Sequence, residues 1–320
     1  MLYPLKFTPL LKERLWGGDM LPKMKKIAAA VKIGESWELS GVPGDVSVVS
    51  NGSLKGNDLA ELLEVYMGDL AGEHIFEKYG ETFPLLIKLI DARDVLSIQV
   101  HPDDRLAARR HNSYGKTEMW YVVAADPGAS LYVGFKKHTT REEYLAAVEA
   151  GTLPELLRKV EVKAGDAYFI PAGVIHAIGA GLVIAEIQQT SDVTYRVDDW
   201  GRVDDRGNPR ELHTELAVDA IDFGALADYD ITVAPAANLP VTMTECAYFT
   251  TNLLKVDGEC TRDYAPLDSF VIHICLEGRV SLDYGEGTET LAGGETALLP
   301  AVVDEVTLTG RATLLEVYIK

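Results

Sequence analysis

GDAYFIPAGVIH, residues 165–176, is the stretch of sequence that decides the fold. It combines a glycine–acid turn, a short apolar strand and a proline at the strand end, where proline is tolerated. Residues 294–305, GETALLPAVVDE, repeat the arrangement with a glycine, an acidic residue, four further residues, Pro-Ala and a four-residue tail. In the second copy Glu305 takes the place of His176. The repeat predicts two related β-barrel units, with the chemistry retained only in the first.

The rest of the chain carries the same β signature. Apolar runs of four to eight residues are bounded by Gly, Pro, Asn or Asp, which is typical of strands in a largely antiparallel protein. The clearest runs are FPLLIKLI (83–90), VLSIQV (95–100), MWYVVAA (119–125), DAYFIPA (166–172) and LVIAEIQQ (182–189). Helical periodicity is predicted in three places only, over 59–70, over 140–151 with a capping box at its start, and over 212–223.

The length of 320 residues favours two domains. Residues 225–240 have the alanine and proline content of a connector. We therefore predict a metal-binding catalytic domain over 1–224, with helical insertions, and a C-terminal β domain over 225–320. Phe270 falls near the place of Glu118 in the second repeat, so the C-terminal domain is expected to bind no metal.

The net charge of the chain limits the classes of molecule that it is expected to bind. The chain carries 30 basic and 49 acidic residues, a net charge of −19, which argues against nucleic acid and anionic membranes. No stretch approaches the roughly 20 apolar residues that span a bilayer. The opening segment is not a secretory signal, and the three cysteines lie outside any CxxC pattern, so a cytoplasmic location is predicted. An anionic small substrate requires a local cluster of Lys and Arg.

Four polar side chains on predicted strands form a candidate metal site. Gln99 and His101 are two residues apart on a strand, so both leave the same face. Glu118 opens a strongly apolar strand, where a carboxylate is costly to bury unless it meets a cation. With His176 they supply the nitrogen and oxygen ligands of Zn²⁺, although ligand type alone also allows Fe²⁺ or Mn²⁺.

Beyond these residues, a resemblance covers essentially the whole chain. LSIQVHPDD, GKTEMWY, GDAYFIPAGVIHAIG and QQTSDVTYRVDDWGR resemble segments of type I mannose-6-phosphate isomerases, in particular the short bacterial form. The resemblance implies a double-stranded β-helix (cupin) fold repeated twice, with a few helices inserted in and after the first unit. Gln99 replaces the first histidine of the usual cupin motif, and Glu118 follows His101 by 17 residues instead of four or five. Both departures are features of this family.

The same resemblance implies the roles of individual residues. It implies one Zn²⁺ per chain and the interconversion of mannose 6-phosphate and fructose 6-phosphate through a cis-enediol. The implied metal ligands are Gln99, His101, Glu118 and His176. The implied catalytic residues are Arg196 and Lys116, and the implied phosphate-side residues are Ser97 and Lys88.

The general base is left open by the sequence. Asp198, Glu186, Lys116 and a hydroxide on the metal are all candidates. The acidic residues Asp192, Asp198 and Asp199 are otherwise expected to be solvated or to cap turns. Two alternative functions also remain, namely another metal-dependent cupin enzyme, such as a different sugar-phosphate isomerase or an oxygenase, and a non-catalytic sugar-binding cupin. The oligomeric state is not predicted.

Overall fold

A computed structural model describes residues 2–27, 31–203, 206–224 and 228–320. Strands make up 43% and helices 17% of the described residues, so the predicted mainly β class is confirmed. None of the helices in these ranges has both the length and the apolar character that crossing a membrane requires.

The elements follow one another in chain order. The first are β1 (Leu10–Gly18), α1 (Met20–Lys25), β2 (Ile33–Ser40), α2 (Leu59–Ala71), α3 (Glu73–Tyr79), β3 (Leu85–Ala92) and β4 (Ile98–Val100). Next come α4 (Asp104–His111), β5 (Glu118–Ala125), β6 (Ser130–Phe135), α5 (Arg141–Ala150), α6 (Leu153–Leu156), β7 (Leu157–Glu161) and β8 (Ala167–Ile170). They are followed by β9 (His176–Ile178), β10 (Leu182–Gln189), β11 (Tyr195–Asp198), α7 (Thr214–Val218) and β12 (Asp230–Ile231). The last are β13 (Pro240–Glu245), β14 (Thr250–Asp263), β15 (Val271–Asp283), β16 (Thr288–Ala292), β17 (Thr296–Leu299) and β18 (Glu305–Tyr318).

The chain forms two compact units. The first, called the site unit, contains residues 11–36 and 89–230. The second unit contains residues 1–10, 37–88 and 231–320. The predicted domain boundary between residues 224 and 225 adjoins residues 225–227, which lie outside the described ranges, and it stays a prediction.

Two sheets build the site. One has seven strands in the order β1-β2-β3-β10-β5-β8-β12, and the other is antiparallel with the order β11-β4-β9-β6-β7. A buried cluster takes side chains from both, including Trp120 on β5, Ile184 on β10 and Val133 on β6. A second cluster covers the other face of the five-stranded sheet with residues of α4, α5, α6 and α7. The face of β4 opposite these helices therefore carries its one polar residue, Gln99.

The second unit contains a six-stranded sheet. Its order is β13-β14-β18-β15-β16, and β17 pairs with β15. Strands β14 and β18 pair along their whole length, from Thr250 opposite Tyr318 to Asp263 opposite Glu305. Inward side chains of these strands form an apolar core of their own.

The two repeated sequence segments have the same local structure. Strands β8 and β17 each begin two residues after a glycine with positive φ, Gly165 at +95° and Gly294 at +86°. Each strand ends one residue before the proline, Pro171 or Pro300. The turn chemistry predicted from the sequence is thus present in both units.

All five predicted strand segments contain an observed strand, but the helix prediction is only partly right. Helix α5 has the predicted capping box between Thr140 and Glu143, and it ends at Gly151 in a left-handed conformation. Helix α7 is shorter than predicted. The expectation of three helical regions only is wrong, since α1, α3, α4 and α6 are also present. These helices are short, and α4 buries just Leu106 and Ala107, too little for a periodic apolar pattern.

Candidate active site

Three buried side chains converge inside the site unit. His101 directly follows β4, Glu118 opens β5 and His176 opens β9. They are 1%, 0% and 0% exposed, and one ligand atom from each lies within 4.8 Å of the others. The apolar strands that carry them fix this position, because their alternate side chains are locked into the core clusters. The structure thus brings together the two histidines and the glutamate singled out in the sequence.

The backbone sets which nitrogen of each imidazole faces the cluster. Nδ1 of His101 donates to the carbonyl of Val193 at 3.0 Å, and Nδ1 of His176 donates to the carbonyl of Val174 at 2.9 Å. A carbonyl oxygen only accepts, so each Nδ1 carries the proton and each neutral ring keeps a lone pair on Nε2. These Nε2 atoms lie 3.6 and 3.3 Å from the carboxylate oxygens of Glu118.

This donor set fits a divalent metal ion. Two imidazole lone pairs and one carboxylate are the ligands of catalytic zinc sites, which leave further positions to water or substrate. Metal-binding histidines commonly donate their other N–H to a backbone carbonyl, as both do here. Burial, assisted by the Lys116 ammonium, lowers the pKa of His176 to about 4, so this ring is neutral at pH 7. Neutral imidazole is the form that binds metals.

Gln99 lies beside this cluster. It pairs with His176 across β4 and β9, and its amide nitrogen is 3.2 Å from Nε2 of that ring. A metal ligand must instead present the amide oxygen, which a rotation of the amide by half a turn supplies. The role of Gln99 as a fourth ligand therefore stays a prediction.

Lys116 places a buried ammonium group against the same cluster. Its Nζ donates to Oε2 of Glu118 and to Nε2 of His101, the latter at 3.1 Å, and lies 3.7 Å from Oε1 of Glu186. Burial alone lowers the pKa of this lysine, but the carboxylates of Glu118 and Glu186 outweigh it, and the pKa is raised. Lys116 is therefore positively charged at neutral pH.

Trp120 was not identified by sequence reasoning as part of the site. Its ring meets the His176 imidazole edge-on at 5.1 Å, and its Nε1 donates to Oε2 of Glu186 at 3.1 Å. Trp120 and Glu186 are opposite one another on β5 and β10. The sequence gives no direct signal of this contact, because it depends on strand register.

Similarity to known proteins assigns the chain to a family. The family model for the catalytic domain of type I phosphomannose isomerases matches residues 5–124, and that for the mannose-6-phosphate isomerase cupin domain matches residues 241–319. The chain is 36% identical to mannose-6-phosphate isomerase ManA of Bacillus subtilis over 97% of its length and 96% of the relative's. The chain belongs to the type I phosphomannose isomerase family.

Further mannose-6-phosphate isomerases agree with this assignment. The mannose-6-phosphate isomerase of Streptococcus mutans is 35% identical over 95% of this chain and 94% of its own. A crystal structure of the Bacillus subtilis mannose 6-phosphate isomerase, 33% identical, covers 99% of this chain and 100% of its own with a TM-score of 0.89. The predicted family, its short bacterial form and the cupin fold are thereby confirmed.

Arg196 lies in one row with Gln99 and His176 across three neighbouring strands. It lies opposite Gln99 on the neighbouring strands β11 and β4, and Gln99 in turn lies opposite His176. Partners directly opposite in antiparallel strands share a face, so the three side chains leave the same side of the sheet. Nη1 of Arg196 donates to the carbonyl of Glu211 at 2.9 Å.

The two residues predicted to contact phosphate are both buried. Ser97 precedes β4, two residues before Gln99, and is buried in the site unit. Lys88 belongs to the second unit, where it is buried on β3 with Nζ 5.2 Å from the centre of the Trp37 ring. Both phosphate roles stay predictions.

The two acidic residues at the end of β11, Asp198 and Asp199, have different surroundings. Asp198 caps the turn as expected, because its Oδ1 accepts from the Trp200 amide at 2.7 Å. The expectation that Asp199 is solvated or caps a turn is wrong, since it is 6% exposed and pairs with Arg202 and Arg210 at 2.5–2.7 Å. Burial opposes ionisation, but the two guanidinium groups hold the pKa of Asp199 below its ordinary value.

Proposed function

We propose that this isomerase is zinc-dependent and interconverts mannose 6-phosphate and fructose 6-phosphate. The observation that carries the proposal is the convergence of two Nε2 lone pairs on the buried carboxylate of Glu118. Mannose 6-phosphate is the substrate in the names of the relatives reported above, whose sequences match along nearly the whole chain. In the proposal His101, Glu118 and His176 hold one zinc ion per chain, with the Gln99 amide oxygen as a fourth ligand.

Moving a proton between the first two carbons of an open-chain sugar creates negative charge on their oxygens. A bound zinc ion supplies a Lewis acid for those oxygens. Lys116 is held charged between two carboxylates and is suited to donate a hydrogen bond to the same oxygens. Arg196, which stays protonated and shares a sheet face with Gln99 and His176, is suited to hold the sugar in its open form.

The base that takes the proton is proposed to be a carboxylate. Among the candidates Lys116 is the least suited, because its raised pKa keeps it protonated at neutral pH. Glu186 is buried beside Lys116 and accepts from Trp120, whereas one oxygen of Asp198 is engaged in a turn. The variants E186Q and D198N separate the two, since removing the base lowers kcat by about 10²–10⁴-fold.

The remaining predictions form part of the same proposal. Residues 1–224 carry the catalysis, residues 225–320 bind no metal, and the enzyme acts in the cytoplasm. The cysteines Cys246, Cys260 and Cys275 are all free thiols, which is usual for a reducing compartment.

A coupled assay for fructose 6-phosphate formation from mannose 6-phosphate tests the function. Activity is expected in the purified protein, is lost after chelation and returns with one equivalent of zinc. Adding Mn²⁺ or Fe²⁺ to the chelated protein in parallel identifies the metal that supports turnover. Glucose 6-phosphate serves as the competing substrate. Activity that survives complete metal removal, or a preference for glucose 6-phosphate, contradicts the proposal.

A further inference from the structure

The segment that carries Lys116 is buried but has no regular secondary structure. It leads into β5, and Gly115, Lys116 and Thr117 are all buried although none of them belongs to a strand or a helix. Buried main-chain N–H groups need acceptors, so these three amides depend on partners outside a sheet ladder. The Lys116 amide donates to the carbonyl of Pro102 at 3.2 Å. The amides on either side of it use side chains instead.

Two polar side chains hold the backbone before and after Lys116. The amide of Gly115 donates to Oδ1 of Asp104 at 2.8 Å. The amide of Thr117 donates to Oε1 of Gln189 at 2.9 Å. Asp104 is the first residue of α4, and Gln189 is the last residue of β10. The path of the backbone around Lys116 is therefore set from two separate elements of the site unit.

The two side chains are also bonded to each other. Nε2 of Gln189 donates at 2.9 Å to Oδ1 of Asp104, the same oxygen that accepts from Gly115. This pairing fixes the orientation of the Gln189 amide, because a carboxylate only accepts and a main-chain N–H only donates. Gln189 is 4% exposed, and its main-chain N–H donates to the carbonyl of Thr117 at 3.2 Å. The result is one continuous network, with Gln189 at its centre.

Close packing at Gly115 brings the loop within reach of this network. A Cβ added at Gly115 would lie 2.6 Å from the amide nitrogen of Asp104 and 2.7 Å from the carbonyl carbon of Asp103. Only a residue without a side chain allows two backbones to approach so closely. The short approach places Oδ1 of Asp104 where it can accept from the loop.

The Lys116 side chain makes demands on this support. Its stem has four carbons and is flexible, so the position of the ammonium group depends on where its backbone is held. Nζ donates to Oε2 of Glu118 and to Nε2 of His101, the latter at 3.1 Å. In the proposed reaction it donates to the sugar oxygens, and a misplacement of about 1 Å can reduce the rate about 10²-fold.

We propose that Asp104 and Gln189 are positioning residues, which hold the backbone around Lys116 so that its ammonium group meets the reacting oxygens of the sugar. They act through the amides of Gly115 and Thr117 and not through contact with the substrate. This inference rests on the proposed function, because it assigns the support for one group in the same reaction.

The variants D104A and D104N test the role of Asp104. D104A removes the oxygen that two N–H groups share, and kcat for mannose 6-phosphate is expected to fall about 10- to 100-fold. The KM should change less than about threefold, because the affected contact is made in the transition state. D104N keeps an amide oxygen in the same place and should retain kcat within about threefold. Saturating zinc in every assay prevents weaker metal binding from lowering the rate.

Q189M tests the other half of the network. Methionine keeps the length of the side chain but removes the acceptor of the Thr117 amide and the donor to Asp104. Its kcat should fall as in D104A, again with little change in KM. The double variant should lose less than the product of the two single losses, because both side chains belong to one network.

N51A is the matched control. Oδ1 of Asn51 accepts from the Lys6 amide at 2.9 Å, and its Nδ2 donates to the carbonyl of Pro4 at 3.0 Å. This side chain also braces irregular backbone with two hydrogen bonds, but it belongs to the second unit. N51A should lower the denaturant midpoint about as much as D104A does and keep kcat and KM.

Amide hydrogen exchange, measured by NMR, provides a readout that does not depend on turnover. Losing one hydrogen bond should speed exchange about 5- to 10-fold at the Gly115 amide in D104A and at the Thr117 amide in Q189M. D104N and N51A should leave both amides as slow as in the unmodified protein.

The outcomes separate the positioning role from the proposed function. Unchanged kcat in D104A and Q189M, or an equal loss of kcat in D104N or N51A, overturns the positioning role and leaves the isomerase function intact. If the unmodified protein shows no isomerase activity, the function is contradicted, and the exchange rates decide the role of the network, which unchanged rates in D104A overturn. If D104A and Q189M do not fold, Q189E carries the test. It keeps the acceptor for Thr117 but sets a carboxylate against that of Asp104, so unchanged kcat overturns the role.

Discussion

Replacing His176 with alanine tests the metal centre directly. The change removes one of three converging ligands, whose Nε2 lies 3.3 Å from Oε1 of Glu118. Zinc binding to structural sites has an apparent free energy of about 10–16 kcal/mol, so one ligand of three or four contributes about 3–4 kcal/mol. That loss corresponds to roughly 10²–10³-fold weaker zinc binding, and turnover should fall at least as far.

The same substitution has a separate effect on folding. It removes a fully buried ring and leaves the carbonyl of Val174 without its donor, a cost of about 2–4 kcal/mol in unfolding free energy. H273A is the matched control, because His273 is equally buried, hydrogen-bonds to Tyr264 and lies in the second unit. H273A should therefore lose comparable stability yet retain one zinc per chain.

Metal content and stability are measured on both variants. Zinc is quantified after dialysis and titrated against a chelating dye, while denaturant unfolding of the metal-free proteins gives the stability term. If H176A keeps stoichiometric zinc with an affinity within about tenfold of the unmodified chain, the assignment of this ligand set is refuted. Equal zinc loss in H273A would show that destabilisation, and not ligand removal, explains the result.

Three further substitutions test the fold. Burial opposes ionisation of Glu316, but the neighbouring His273 ring and the paired Arg262 guanidinium group outweigh it and hold its pKa well below the ordinary 4.5. The ionised carboxylate of Glu316 therefore contributes its full stabilisation above about pH 4.5, and this contribution declines as the pH falls towards the folded-state pKa. At pH 7 the unfolding free energy of E316Q should be about 3 kcal/mol lower than that of the unmodified chain. Urea unfolding at lower pH should show this difference becoming smaller. T140A removes the capping box of α5 and should lower the unfolding free energy by about 1 kcal/mol in the same measurement. A loss of far-UV helical signal larger than α5 alone accounts for would contradict an effect confined to this helix. G278A should destabilise by about 1–3 kcal/mol more than G285A, because both positions have φ near +84° but only at Gly278 does an added Cβ meet a backbone oxygen, at 2.2 Å.

The sequence predicts the β framework and the core of the site for definite physical reasons. A two-residue spacing places Gln99 and His101 on one face of any strand, and a carboxylate heading an apolar strand, as Glu118 does, needs a cationic partner. A glycine followed by an acidic residue predicts the turn before β8 and before β17, and a proline predicts the end of each strand. These residues are informative because the backbone conformations that they favour depend only on neighbouring residues.

The parts that the sequence does not predict depend on long-range pairing. Trp120 meets Glu186 through the register of two strands, which are 66 residues apart at this contact. Arg210 pairs with Asp199, which lies 11 residues earlier in the chain, and no periodic pattern in the sequence predicts this contact. The short helix α4 is mostly polar, and its start depends on the cap supplied by Asp103.

The hydrogen bonds from His101 and His176 to the main-chain carbonyls of Val193 and Val174 have an evolutionary consequence. A carbonyl oxygen is common to every amino acid, so a substitution at residue 174 or 193 leaves the acceptor chemically unchanged. The orientation of both imidazoles is therefore inherited with the path of the backbone and can survive extensive sequence drift in the residues around them.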